Sequence, residues 1–122
     1  MGIIAQMSER RCDFVGDSLK VLKGFPKEVR TAIGHALDAA QRGGKAPYAK
    51  PMKGIGSGVF EIVDDFDGNT YRAVYALKIG DCLYVLHAFQ KKSKSGSKTP
   101  LAEIELVKDR VKKLKAMLGM AG

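Results

Sequence analysis

The hydrophobic pattern of the chain changes period twice, and the changes divide it into helical and extended stretches. Residues 11–15 (RCDFV) form a short strand candidate, closed by Gly16. Asp17 or Ser18 can cap a short helix in which Leu19 and Leu22 share a face, and Gly24 stops it. Pro26 opens a second helix to about residue 42, with Val29, Ile33, Ala36, Leu37 and Ala40 on one stripe of period 3.6. Two helices joined by a Gly-Phe-Pro corner make a helical hairpin. A glycine- and proline-rich loop is expected over 43–58. The period then falls to two over 59–63, 70–79 and 82–90, with turns at Asp67-Gly68 and Gly80-Asp81. Connections this short make the three strands an antiparallel meander. A last helix runs to about residue 118, with Thr99 as its cap, Pro100 at its first position, and Ile104, Val107, Val111, Leu114 and Leu118 on its apolar stripe. The expected fold class is α+β: an N-terminal helical hairpin packed on a small antiparallel sheet, with a C-terminal helix.

Strict alternation in the last strand places Leu83, Val85, His87 and Phe89 on one face and Tyr84, Leu86 and Ala88 on the other. Both faces are apolar, as in a strand buried mid-sheet. The strand then runs into Lys91, Lys92, Lys94 and Lys98, with no acidic residue between Asp81 and Glu103. A rigid strand feeding a cationic segment can hold charge where a polyanion passes.

Length and charge sharpen this picture. At 122 residues the chain is read as one domain over 1–122, with 1–10 a loose tail. Its composition, 45% hydrophobic and 28% charged, is that of a globular protein. The net charge of +8 points to nucleic acid, an anionic membrane surface or an acidic protein as partner. No apolar run is long enough to span a membrane, and the N-terminal run is too short for a signal peptide, so a cytoplasmic location is expected. Cys12 and Cys82 lack metal-ligand spacing, and strict alternation puts Cys82 and His87 on opposite faces, which argues against a catalytic thiol. Asp64, Asp65 and Asp67 read as a solvated turn, because the rest of a calcium loop does not follow in register.

Arg72 is the most informative single residue, a permanent cation in the middle of a strand. Two placements are open: an ion pair with Glu61 on the neighbouring strand, or the open face of the sheet, where it can grip phosphate bidentately. With Lys53, Lys91, Lys92 and His87 it would build a cationic basin, with Lys50, Lys94 and Lys98 extending it along a nucleic acid. Such a basin suits RNA cleavage without metal. The ribose 2′-OH attacks phosphorus, cations stabilise the equatorial oxygens, and a histidine or a lysine moves the protons. No carboxylate pair presents itself for a two-metal nuclease, and no cofactor is expected.

GFPKEVR (24–30), KGIGSGVFEI (53–62), TYRAVYAL (70–77) and YVLHAFQKKSKSGSKTP (84–100) together resemble the phage-derived HigB-like toxins of the RelE/ParE superfamily. The resemblance implies a RelE-like fold and a toxin of a type II toxin–antitoxin system. It implies cleavage of mRNA in the ribosomal A site and neutralisation by a helix-turn-helix antitoxin. Arg72, Lys91 and Lys92 match basic positions that recur on the toxin sheet and its following loop, and Lys53 matches the basic residue ahead of the GVFEI strand. The late tyrosine of some RelE toxins has no counterpart after Tyr84, which leaves His87 as the candidate acid. Two other functions fit the same fold: a ParE-like gyrase poison and a non-catalytic nucleic-acid-binding module.

Overall fold

The structure, a computed structural model, describes residues 10–91 and 98–120. Its elements run β1 (Cys12–Phe14), α1 (Ser18–Lys23), α2 (Lys27–Gln41), β2 (Ala49–Pro51), β3 (Val59–Phe66), β4 (Asn69–Ala76), β5 (Leu83–Lys91) and α3 (Leu101–Met117). The five strands form one sheet in the order β1-β5-β4-β3-β2. The expected α+β architecture is present: β3, β4 and β5 make the antiparallel meander. Two short strands join it, β1 within the strand candidate at 11–15 and β2 where only a loop was expected. β1 pairs parallel to β5, with Cys12 opposite Leu83, and β2 forms inside the expected loop, with Lys50 opposite Glu61. The last strand of the hairpin ends at Ala76 rather than continuing to residue 79.

One sheet separates two cores. On one face α1 and α2 bury Phe25, Val29, Ile33, Ala36, Leu37 and Ala40 against Ile62, Ala73, Tyr75, Leu83 and Val85. The other face carries Met52, Val59, Val74, Ala76, Tyr84 and Leu86 under Val107 and Leu114 of α3. Each fully buried aliphatic side chain contributes about 1.5–3 kcal/mol, so α2, with five buried positions, is held more firmly than α3, with two. Leu118, expected on the α3 stripe, is 42% exposed beyond the helix end.

The β3–β4 hairpin closes through Asp67 and Gly68, at φ of 52° and 82°. Two consecutive left-handed residues are what a two-residue hairpin with strand-like twist requires, and Asp-Gly supplies them at low cost. Asp65, just before this turn, accepts from the Thr70 hydroxyl at 2.9 Å.

Strict alternation fails in β5. Val74 pairs with His87, but the next residue, Tyr75, pairs with Val85. Leu86 is therefore the extra residue of a β-bulge, and the phase of the strand flips there. Leu83, Val85 and Ala88 face the helical hairpin. Tyr84 and Leu86 face α3, and so does His87, whose ring bonds to Glu103 of that helix. The expected grouping of His87 with Leu83 and Val85 is thus corrected. The carbonyl of the inserted Leu86 accepts from Arg110 Nη1 at 2.9 Å, so the interrupted ladder leaves no orphan acceptor there.

Candidate functional site

The α3 face of the sheet gathers the residues with chemistry. One cross-strand row runs Lys50, Glu61, Val74, His87 over β2, β3, β4 and β5. In the next row Arg72 lies opposite Phe89, which puts Arg72 and His87 on a diagonal, roughly 7–8 Å apart by sheet geometry. An open cleft of about 650 Å³ lies over this end of the face, lined by Lys50, Met52, Lys53, Glu61, Arg72, Lys98, Thr99 and Ile104.

At the floor of the cleft Arg72 Nη1 donates to Glu61 Oε2 and to Thr99 Oγ1, both at 3.0 Å. The Thr99 hydroxyl in turn donates to Glu61 Oε2 at 2.6 Å, closing a ring of three. Arg72 is 2% exposed and Glu61 4%. Of the two placements open for Arg72, the ion pair with Glu61 is the one adopted, and the guanidinium is not displayed on an open surface. It lines the cleft all the same, held in orientation by Glu61 and Thr99. Thr99 is consequently not the cap of α3: Pro100 takes that position without a side-chain cap.

Lys50, Lys53 and Lys98 stand exposed at the rim. Because Glu61 compensates Arg72 below them, the three lysines give the cleft its excess positive charge. Lys91 donates to the Lys98 carbonyl at 3.1 Å, which ties the end of β5 to the approach to α3. Lys92 and Lys94 lie outside the described residues.

His87 is 6% exposed and its ring stacks on Phe89, 5.1 Å between centroids. Its Nε2 meets Glu103 Oε1 at 2.6 Å, while its buried Nδ1 has no hydrogen-bond partner among the described residues. A histidine bonded this closely to a carboxylate is held by α3 rather than presented to a substrate. The residues alone offered Glu61 as a partner for Arg72, but gave no signal for Glu103 against His87 or for Thr99 in the Arg72 network. The acid-free run from residue 82 to 102 hid the fact that acids on other elements fold onto the same face.

The bulge puts Cys82 and His87 on the same face after all. Five residues of strand still separate them by roughly 15 Å, far beyond hydrogen-bond reach. Cys12 is no better a nucleophile: burial, reinforced by Asp13, pushes its thiol up to about 11. Among the described residues no group of three or more His, Cys, Asp or Glu is placed to hold a metal ion, and no helix is long and apolar enough to cross a membrane.

A compact α+β domain with a cationic cleft beside its C-terminal helix is the class of molecule this geometry defines. The chain belongs to the family described as phage-derived Gp49-like proteins, whose family pattern matches residues 20–112. That span includes the FPKEVR, YRAVY and LHAFQKKS segments on which the resemblance to phage-derived toxins rests. No curated protein matches the chain. Among solved structures it is similar to a chain of the RelBE2 toxin–antitoxin complex from Mycobacterium tuberculosis. The identity is 16%, the match covers 71% of this chain and 97% of that one, and the TM-score is 0.47.

Proposed function

We propose that this protein is the toxin of a type II toxin–antitoxin system and cleaves mRNA on the ribosome. The observation that carries the reading is the cleft: a guanidinium fixed at its floor by Glu61 and Thr99, beneath three exposed lysines, in a chain of the phage-derived Gp49-like family. In the proposed reaction the 2′-oxygen forms a bond to the adjacent phosphorus and the bond to the 5′-oxygen breaks. The products are a 2′,3′-cyclic phosphate and a 5′-hydroxyl. One proton leaves the 2′-OH and one is delivered to the 5′-oxygen, so the step balances without metal or cofactor.

Lys50, Lys53 and Lys98 bind the phosphates on either side of the scissile one. Arg72 meets the charge that builds on the equatorial oxygens, and such preorganised donors act most strongly where charge develops in the transition state. Lys91 extends the same positive field at the end of β5, and Lys92 and Lys94 are further cations proposed to contact the RNA. His87 moves a proton once Glu103 releases its Nε2, being one diagonal step from Arg72. The ribosome is needed because a small domain has little surface with which to hold free RNA in line for attack. A helix-turn-helix antitoxin is the proposed neutralising partner, and the cytoplasm the proposed location.

Induced expression tests this directly. Growth and protein synthesis should stop, mRNA should be cut at A-site codons with the ends named above, and co-expression of a helix-turn-helix protein encoded alongside should restore both. Broken DNA with intact mRNA would move the assignment to a gyrase poison. Normal growth with folded, soluble protein accumulating would overturn the toxin reading.

A further inference from the structure

Beyond the cleft, α3 carries a second run of cations that the proposed reaction does not use. At 3.6 residues per turn, Ile104, Lys108, Val111, Lys112 and Lys115 fall on one flank of the helix. Glu103 and Arg110 fall on the other, where they hold His87 and Asp17. Asp109 lies further round, where it pairs with Lys113 at 3.1 Å, while Glu105 borders the first flank beside Lys108. A shallow groove of about 160 Å³ follows the cationic flank, lined by Ile55, Lys108, Val111, Lys112 and Lys115.

The groove is the cleft's neighbour along α3. Both are built from the same two pieces of chain: Met52 and Lys53 line the cleft and Ile55 the groove, while Ile104 lines the cleft and Lys108, one turn on, the groove. Cations therefore continue along a single seam, from Lys50, Lys53 and Lys98 to Lys108, Lys112 and Lys115. The helical part of the seam, residues 101–115, is about 20 Å long at 1.5 Å per residue. Lys108 has a neighbour in Glu105 at 3.8 Å, a surface pair of little strength that phosphate can replace.

We infer that this seam is a binding track for single-stranded RNA, which carries the strand leaving the cleft along α3. The inference rests on the proposed function, and deepens it by naming where the substrate runs. The start of the cationic row at the cleft decides for RNA over an acidic protein segment. A ligand whose negative charges repeat along its length fits a row of cations that begins in the cleft and proceeds in steps of four and three residues.

The test compares a trinucleotide, which the cleft alone can hold, with an oligouridylate of about ten nucleotides, within the site sizes of small single-strand-binding folds. Binding is followed by fluorescence anisotropy over a series of salt concentrations. The variant combines Lys108→Ala, Lys112→Ala and Lys115→Ala, all at sites outside the buried core, with its fold checked by circular dichroism. It should bind the trinucleotide as the wild type does, while its salt slope on the longer RNA flattens by about two units, at about 0.7 per lost phosphate contact. An unchanged slope on the longer RNA overturns the track and leaves the cleft reading standing. Wild-type protein that binds neither RNA overturns the track and the cleft reading together. A variant that binds both RNAs normally but no longer binds polyglutamate overturns the RNA assignment in favour of an acidic protein partner.

Discussion

Removing the Arg72 side chain leaves the Glu61 carboxylate buried with its charge uncompensated. Breaking such a pair from one side typically costs about 3–5 kcal/mol. Arg72→Ala should therefore lower the melting temperature by roughly 10–20 °C for a domain of this size. Cleavage by the folded fraction should fall as well, by on the order of 10²–10³, the usual loss when one transition-state donor is removed. Stability and chemistry can be separated with Arg72→Met combined with Glu61→Leu, which removes both charges and fills the space. Calorimetry should find the double variant well above Arg72→Ala, because apolar replacement of a whole buried pair is often neutral or stabilising. It should still fail to cut mRNA. A stable double variant with wild-type single-turnover rates would take Arg72 out of the reaction.

At the scale of elements, the attachment of α3 depends on polar contacts to both neighbours. Arg110 reaches from α3 to Asp17 at 3.0 Å and to the Leu86 carbonyl at 2.9 Å. The hydrogen bond from Arg110 holds the Asp17 carboxyl below the usual aspartate range. A carboxyl whose folded pKa is depressed adds stability that is fully present above the ordinary value of about 3.9 and fades as pH falls through the lower folded value. Asp17→Asn should therefore cost only about 0.2–1 kcal/mol at pH 7, since the carboxylate is largely exposed, and less at pH 2. Denaturant melts at the two pH values check this: an equal loss at both would place the effect in something other than the charge. The same guanidinium roofs Gly16. A Cβ there would lie 2.8 Å from Arg110 Cζ, on a backbone at φ +58°. Gly16→Ala should cost at least about 1–2 kcal/mol from the left-handed backbone alone, and more as Arg110 is displaced. A substitution that leaves the denaturation midpoint unmoved would show that the turn relaxes.

For the whole molecule, one sheet with two unequal cores predicts unequal local stability. Five buried side chains hold α2 to its face and two hold α3 to the other. Amides of α3 should exchange with solvent through openings smaller than global unfolding, while those of α2 and β4 should exchange only with it. Hydrogen exchange read by mass spectrometry distinguishes this from uniform protection, which would make α3 an integral part of the cooperative unit. Since α3 carries Glu103, such openings also free His87. Charge acts at this scale too. RNA affinity should decline with salt, and Lys50→Ala with Lys53→Ala and Lys98→Ala should flatten the logarithmic slope by about two units. An unaltered slope would show that nucleic acid does not enter the cleft.

Local pattern was enough for much of this protein. The stripe from Val29 to Ala40, the Asp-Gly hairpin, the meander and the lysines of the cleft are all legible in residues close together in the chain. Each depends on the period of one segment or the φ preference of one turn. Long-range pairing was not legible. β1 could be named as a strand, but its parallel pairing with β5 could not. β2, three residues inside an expected loop, is too short to carry a period. Both are held by the edges that β5 and β3 offer. The bulge at Leu86 left no local signal either. It shifts His87 to the α3 face through the register between β4 and β5, a property of two strands rather than one. The cleft shows the same division most clearly. Lys50, Lys53, Arg72 and Lys98 could be named as cations from the sequence. Burial of Arg72 against Glu61 and Thr99, from positions 11 and 27 residues away, depends on strands and a helix start converging. A buried charge has to be neutralised by a nearby acid, and only the tertiary structure decides that Arg72 is buried against Glu61 instead of left on the open face.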